Sequence, residues 1–187
     1  MPKSVIKFAT YEDLHGIPDN MIGEIVDGEL IVTPRPSRKH GLAATVLGSR
    51  LTPPYYFGES GGPGGWVFII EPEISFGANI IVPDLAGWRR DKFPEHEDHN
   101  WISVAPDWVC EIISPSTAKV DKADKLPIYA KHGVSHLWLI DPDVKTLDVF
   151  RLESGKWLLL GTSAENDCIR AEPFLDIEIA LGDLWLE

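Results

Sequence analysis

The sequence predicts a single α/β domain over residues 1–187, built on a mixed β-sheet flanked by helices. Three observations lead there. A strand–helix–strand run over residues 107–140 requires a crossover, and hence a locally parallel pair of strands. The remaining strands are joined as hairpins, so the sheet is mixed. With 187 residues and 44% hydrophobic composition the chain can bury a sizeable core, and no linker, repeat or low-complexity tract divides it.

The elements follow in order. Thr10-Tyr-Glu-Asp13 resembles a capping box with Asp in place of the usual Glu or Gln, opening a short helix that Gly16 and Pro18 end. Glu24-Ile-Val-Asp-Gly-Glu-Leu-Ile-Val32 reads as a hairpin turning at Asp27-Gly28. Pro34-Arg-Pro36 breaks its second strand. Ser37 then caps a helix to about Leu51, with Leu42, Val46, Leu47 and Leu51 near one face, and Pro53-Pro54 stops it. The loop from Gly58 to Gly65 holds five glycines but lacks the Lys-Ser/Thr ending of a phosphate-binding P-loop.

Trp66–Ile70, Glu73–Phe76 and Ile80–Trp88 read as strands, and residues 89–105 as a long polar loop. Asp107–Ser114 is mostly apolar and β-branched or aromatic, the pattern of a central strand buried on both faces. Pro115–Thr117 is a turn. A helix follows from about Asp121 to His132, or from Asp124 if Pro127 is to sit in a first turn, with Gly133 at its C′ position. His136–Ile140 is the next strand. Thr146–Leu152 and Lys156–Leu160 form a hairpin through Ser154-Gly155, and a short strand near Leu175–Ile179 precedes a last helical turn.

Composition excludes several classes of function. No apolar run approaches the roughly 18–20 residues that span a bilayer, and no signal-peptide apolar region follows Met1-Pro2-Lys3-Ser4, which places the protein in the cytoplasm, away from membranes. Cys110 and Cys168 make no zinc motif and read as reduced structural thiols. The net charge of −12 argues against a protein that coats nucleic acid. That charge is uneven, however. Residues 165–187 carry seven acids and one base, half of the total. Arg35, Arg38, Lys39 and Arg50 form one locally basic stretch, and Lys119, Lys122, Lys125 and Lys131 another. A nucleic-acid face would therefore be local.

The residues with the strongest chemical signal are Asp84, behind Pro83 on one strand, and Glu111, inside the apolar strand 27 residues later. If those strands are neighbours, the two carboxylates converge. Two hard oxygen donors suit Mg²⁺, which keeps several waters and works with substrate phosphate. The plainer alternatives are a strand-end cap for Asp84 and a buried ion pair for Glu111. An acid in so apolar a strand needs a partner or a metal in either case.

Val82-Pro-Asp-Leu85, Pro106-Asp-Trp-Val-Cys-Glu-Ile-Ile-Ser-Pro-Ser-Thr117, Asp121 with Lys125, Tyr129-Ala-Lys-His-Gly-Val134 and Leu137-Trp-Leu-Ile-Asp-Pro142 follow one another in an order and spacing that resembles the Uma2 (DUF820) family, a branch of the PD-(D/E)XK nuclease superfamily. Glu24-Ile-Val-Asp-Gly-Glu-Leu30, followed by His40, fits the same pattern, and the match runs from about residue 10 to residue 160. The resemblance implies a restriction-endonuclease-like (PD-(D/E)XK) mixed sheet and a DNA endonuclease. It implies Asp84 and Glu111 as catalytic acids and metal ligands, with the Ile112 backbone carbonyl as a third ligand, for Mg²⁺ with Mn²⁺ as substitute. Glu24 would complete the acidic cluster.

The superfamily places Lys two positions after the second acid, where this chain has Ile113. The resemblance then points to the following helix and Lys125, with Lys122 as competitor; a solvated Asp121–Lys125 helix pair is the plain alternative. Arg35, Arg38, Lys39 and His40 would bind nucleic acid, and Tyr129 reads as core. The displaced lysine and the negative charge also fit a non-catalytic member that binds nucleic acid or protein, and a third reading is an enzyme acting on another phosphodiester. A homodimer would bring two sites to two strands, but no residue of the sequence specifies one.

Overall fold

The computed structural model describes residues 8–114 and 120–185. The turn expected at 115–117, and Lys119, lie outside them. A six-stranded sheet organises the chain, formed by β3 (Trp66–Ile70), β6 (Leu85–Arg89), β7 (Trp108–Ile112), β8 (His136–Asp141), β9 (Thr146–Glu153) and β10 (Lys156–Ala164). The spatial order is β10-β9-β8-β7-β6-β3. β7 and β8 are parallel and every other neighbouring pair is antiparallel, so the sheet is mixed, as the crossover demanded.

Side chains alternate across β7. Trp108, Cys110 and Ile112 enter one core, while Val109 and the following Ile113 enter the other. Glu111 shares the second face. The first core is roofed by α2 (Arg38–Leu51) and by the chain's end, where Phe174 stands 5.0–5.6 Å, ring to ring, from Trp66, Phe68, Trp108 and Trp138. Gly87 makes this packing possible. A Cβ there would meet the Phe68 ring at 3.0 Å and the Trp108 indole at 3.2 Å.

A second sheet covers the other face. Its strands are β1 (Met21–Val26), β2 (Glu29–Pro34), β4 (Ile74–Phe76) and β5 (Asn79–Ile81), in the order β2-β1-β5-β4. The β1–β2 hairpin turns at Asp27 and Gly28, both at positive φ (50° and 83°), as a tight two-residue turn requires. α3 (Leu126–Lys131) shares this layer through Ile128 and Tyr129.

Several expectations are corrected. Ile80–Trp88 is two strands in two sheets, β5 and β6, broken at Val82-Pro83-Asp84, where proline has no N–H for a ladder. The break is invisible to hydropathy because both pieces are buried. α2 begins after Ser37 as expected, and Ser37 Oγ accepts from the His40 N–H. Its buried face, however, is His40, Ala43, Ala44, Leu47 and Leu51; Leu42 and Val46 lie half-buried on its flank. Pro53 and Pro54 do not end the helical path, which widens into a π-helical turn over Thr52–Phe57 before Gly58 at φ 72°. A similar wide turn, Val120–Lys125, precedes α3, so the helical path starts earlier than Pro127 suggested. The C-terminal strand is longer than expected, β12 (Phe174–Ala180), and pairs with β11 (Cys168–Ala171), a segment too short and exposed to announce itself. Both cysteines are free, Cys110 buried and Cys168 exposed. No helix among the described residues is long and apolar enough to cross a membrane.

The rotated face of α2 gives a test. Leu47→Ala empties a fully buried position and should cost about 2–5 kcal/mol in urea unfolding, whereas Leu42→Ala should cost clearly less. Equal losses would place the helix in the orientation first read from the sequence.

Candidate active site

The break that ends β5 and begins β6 sets the first acid. One step beyond the paired residues Leu85 and Cys110, the register of β6 and β7 brings Asp84 opposite Glu111. The Glu71 N–H holds the Asp84 carbonyl at 3.0 Å, and the Ile112 N–H donates to Asp84 Oδ2 at 2.6 Å. His40 Nε2, from the first turn of α2, lies 2.6 Å from Asp84 Oδ1. Two elements, β7 and α2, thus fix the carboxylate, while Glu71 holds the backbone behind it.

Glu111 sits deeper. It belongs to a nearly dry cluster with Glu24 of β1 and with Asp121 and Lys125 of the wide helical turn, all between 1% and 5% exposed. The Lys125 ammonium lies 2.9 Å from Glu24, 3.2 Å from Asp121 and 3.4 Å from Glu111. An ammonium has three N–H donors, and each has a carboxylate in reach. Tyr129, one turn further along, donates its hydroxyl to Glu111 Oε1 at 2.5 Å, and the Val82 N–H donates to Glu24 Oε1 at 2.8 Å.

Burial dominates the protonation of these groups. It pushes the Glu111 carboxyl well above its usual range; Lys125 opposes the shift, and the charges of Asp121, Asp84 and Glu24 add to it. Glu24 is likewise raised by burial against the pull of Lys125 and the Val82 N–H. Burial works against charge on Lys125, but Glu111, Glu24 and Asp121 together outweigh it and hold the ammonium protonated well above its ordinary value. The Tyr129 hydroxyl is raised by burial and by Glu111, so it remains a donor.

Asp84, Glu111, Glu24, Asp121, Lys125 and His40 line one cavity of about 590 Å³. Three carboxylates surround the Lys125 ammonium and Asp84 stands beside them, and hard carboxylate oxygens are donors of the kind that hold a divalent cation together with water. Among the described residues no three His, Cys, Asp or Glu side chains form a ready-made cation cage. Asp84 is the more open of the strand-borne pair, its side chain 16% exposed against 2% for Glu111.

The basic residues divide. Arg35, Arg38 and Lys39 are exposed at the cavity mouth. Arg35 pairs with Glu71 at 2.8 Å and Lys39 with Asp143 at 2.7 Å, while Arg38 has no ion pair among the described residues. Arg50 is taken by Asp183 of the acidic tail. His40, expected beside these as a phosphate contact, is buried and turned inward onto Asp84. Of the described lysines of the second basic stretch, Lys125 is inside while Lys122 and Lys131 are exposed. The Asp121–Lys125 pair is buried, not solvated.

The sequence reading did not assign Asp121 or Tyr129 to the site. Their spacing from Lys125, four residues on either side, is the signal that could have found them, since all three share one helical face.

The family model described as "Uma2: Putative restriction endonuclease" matches residues 8–182. The chain belongs to the Uma2 family. A solved structure described as "a putative nuclease belonging to DUF820", from Anabaena variabilis, matches at 24% identity with a TM-score of 0.71, over 94% of this chain and 97% of that one. That likeness establishes the restriction-endonuclease-like α/β fold. No curated protein matches the Uma2 chain.

The cluster makes a prediction about stability. Removing one partner of a buried ion network leaves its counter-charges stranded, at a cost of about 3–5 kcal/mol. Lys125→Met should show this loss at pH 8. Glu24 and Glu111 hold protons more tightly folded than unfolded, so their contribution is present below the ordinary carboxyl range and is lost as pH rises through their raised values. The penalty in Lys125→Met should therefore shrink towards pH 5. A penalty that is small, or independent of pH, in urea unfolding would contradict the buried network.

Proposed function

We propose that this Uma2 chain is a divalent-metal-dependent DNA endonuclease that hydrolyses phosphodiester bonds. What supports the reading is the convergence of Asp84, Glu111, Glu24 and Lys125, from four separate segments, on the floor of one cavity whose mouth carries Arg35, Arg38 and Lys39. Asp84, Glu111 and the Ile112 carbonyl would hold Mg²⁺, or Mn²⁺ in its place, which when bound supplies charge neutralisation at the phosphate and a more acidic water.

The chain's own groups do the rest. Lys125 replaces the lysine absent at Ile113. Its longest contact is to Glu111, so exchanging that contact for the attacking water leaves the ammonium held by Glu24 and Asp121. There it stabilises negative charge on the water and the phosphoryl oxygens. Tyr129 keeps Glu111 oriented. Arg38 meets the backbone first, since Arg35 and Lys39 must each give up an acid partner.

A second reading is a non-catalytic member of the fold that binds nucleic acid or protein. The observation favouring it is that all three Lys125 donors already face carboxylates.

Cleavage of plasmid DNA by purified protein with Mg²⁺ or Mn²⁺ separates the two. Under the endonuclease reading, Asp84→Ala and Glu111→Ala lose both cleavage and the rise in melting temperature that Mg²⁺ gives the wild type. Lys125→Met keeps metal binding and loses roughly 100-fold or more in rate, whereas Lys122→Ala, altered at an exposed position, does much less. Metal binding unchanged in both acid variants would remove this site from consideration. Metal binding without cleavage of any nucleic acid would favour the second reading.

The rim has its own test. Arg38→Ala should lower the slope of log affinity against log salt by about 0.9 for duplex DNA, the loss of one phosphate contact. Arg35→Ala and Lys39→Ala should change it less. An unchanged slope in the triple variant puts the DNA elsewhere.

A further inference from the structure

His40 is a buried histidine on the first turn of α2, and its only side-chain partner among the described residues is Asp84. Asp84 occupies the gap between β5 and β6, outside both strands, where no ladder restrains it. Its side chain is part-exposed towards the cavity. A carboxylate in such a place would sample several rotamers. Two contacts prevent this, the Ile112 N–H on Oδ2 and His40 Nε2 on Oδ1, each at 2.6 Å. The first is backbone, built into β7. The second reaches across from another layer and exists only because α2 turns its first residues over the cavity.

We infer that His40 is a positioning residue. By donating from Nε2 to Asp84 Oδ1, it locks the Asp84 carboxylate in the rotamer that presents its remaining lone pairs to the cation. This rests on the metal reading above and adds to it. Carboxylates that ligate metals are held by a surrounding shell of hydrogen bonds, and losing one such partner typically costs 10–100-fold in metal affinity. The arrangement also accounts for the apparent exception on the basic rim, since the histidine nearest to Arg38 and Lys39 faces an acid and not the solvent. In a neutral ring this donation requires the Nε2–H tautomer.

The test uses the full chain with His40→Leu and His40→Gln. Leucine fills much of the space without a donor. Glutamine places an amide N–H close to where Nε2 stands. Mn²⁺ affinity is read by calorimetry, and the melting temperature in chelator reports folding. The expected result is a 10–100-fold loss of Mn²⁺ affinity in His40→Leu, recovery of most of it in His40→Gln, and similar melting temperatures for the metal-free variants. Ring ¹⁵N shifts of the wild type should show the proton on Nε2. Wild-type affinity in His40→Leu would overturn the inference and leave the nuclease reading standing. So would an equal loss in both variants, which would mean that the imidazole itself, and not its hydrogen bond, is what the cation needs. If the wild type takes up no Mn²⁺ at all, the inference falls together with the metal reading.

Discussion

The arrangement of this molecule depends on one buried ammonium. Lys125 joins Glu24 of β1, Glu111 of β7 and Asp121 of its own helical turn, and so ties the four-stranded sheet, the six-stranded sheet and the crossover into one body. None of the four groups is tolerable alone at this depth, because an isolated buried charge costs more than a domain can spare. Together they are permitted, and each constrains the rest. The wide helical turn over Val120–Lys125 fits this constraint, since its winding places Asp121 and Lys125 on the same buried face.

A second constraint is the change of sheet at Val82-Pro83-Asp84. A continuous strand would have paired Asp84 on both sides. Because the chain leaves one sheet and enters another there, Asp84 lies outside the ladders, its carbonyl held by Glu71 and its carboxylate by Ile112 and His40. The acid that faces the cavity is irregular in backbone and heavily supported in side chain. Glu111 is the reverse, regular in backbone and buried. The pair combines a partly exposed carboxylate with one that burial pushes above its usual range.

Much of the fold was legible. The parallel pair β7–β8 followed from the strand–helix–strand spacing, and the Asp27-Gly28 turn and the Ser37 cap followed from local chemistry that tertiary structure did not overrule. What escaped was anything resting on a change of partner within continuous hydropathy. Ile80–Trp88 reads as one strand because burial, not sheet membership, sets its composition. The second sheet escaped for the same reason, since hairpins reveal pairing but not which face they cover.

At the site, residue types determined which groups were worth attention. An acid inside Trp108–Ile112 had to have a partner, and Ile113 in the expected lysine position leaves the following helix to supply the cation. Direction was decided only by the tertiary structure. His40 follows Arg38 and Lys39 in the chain and reads as part of a basic surface, but it is the one of the three that falls on the inner face of α2, where Ala43 and Ala44 let the helix settle close to the sheet. Lys125 lies among other lysines and, among the described ones, is the one turned inward. Sequence determines the period of a helix and the charge of its residues. Which phase of that period faces the core depends on the shape of the surface against which the helix packs, and that surface is assembled from strands far away in the chain.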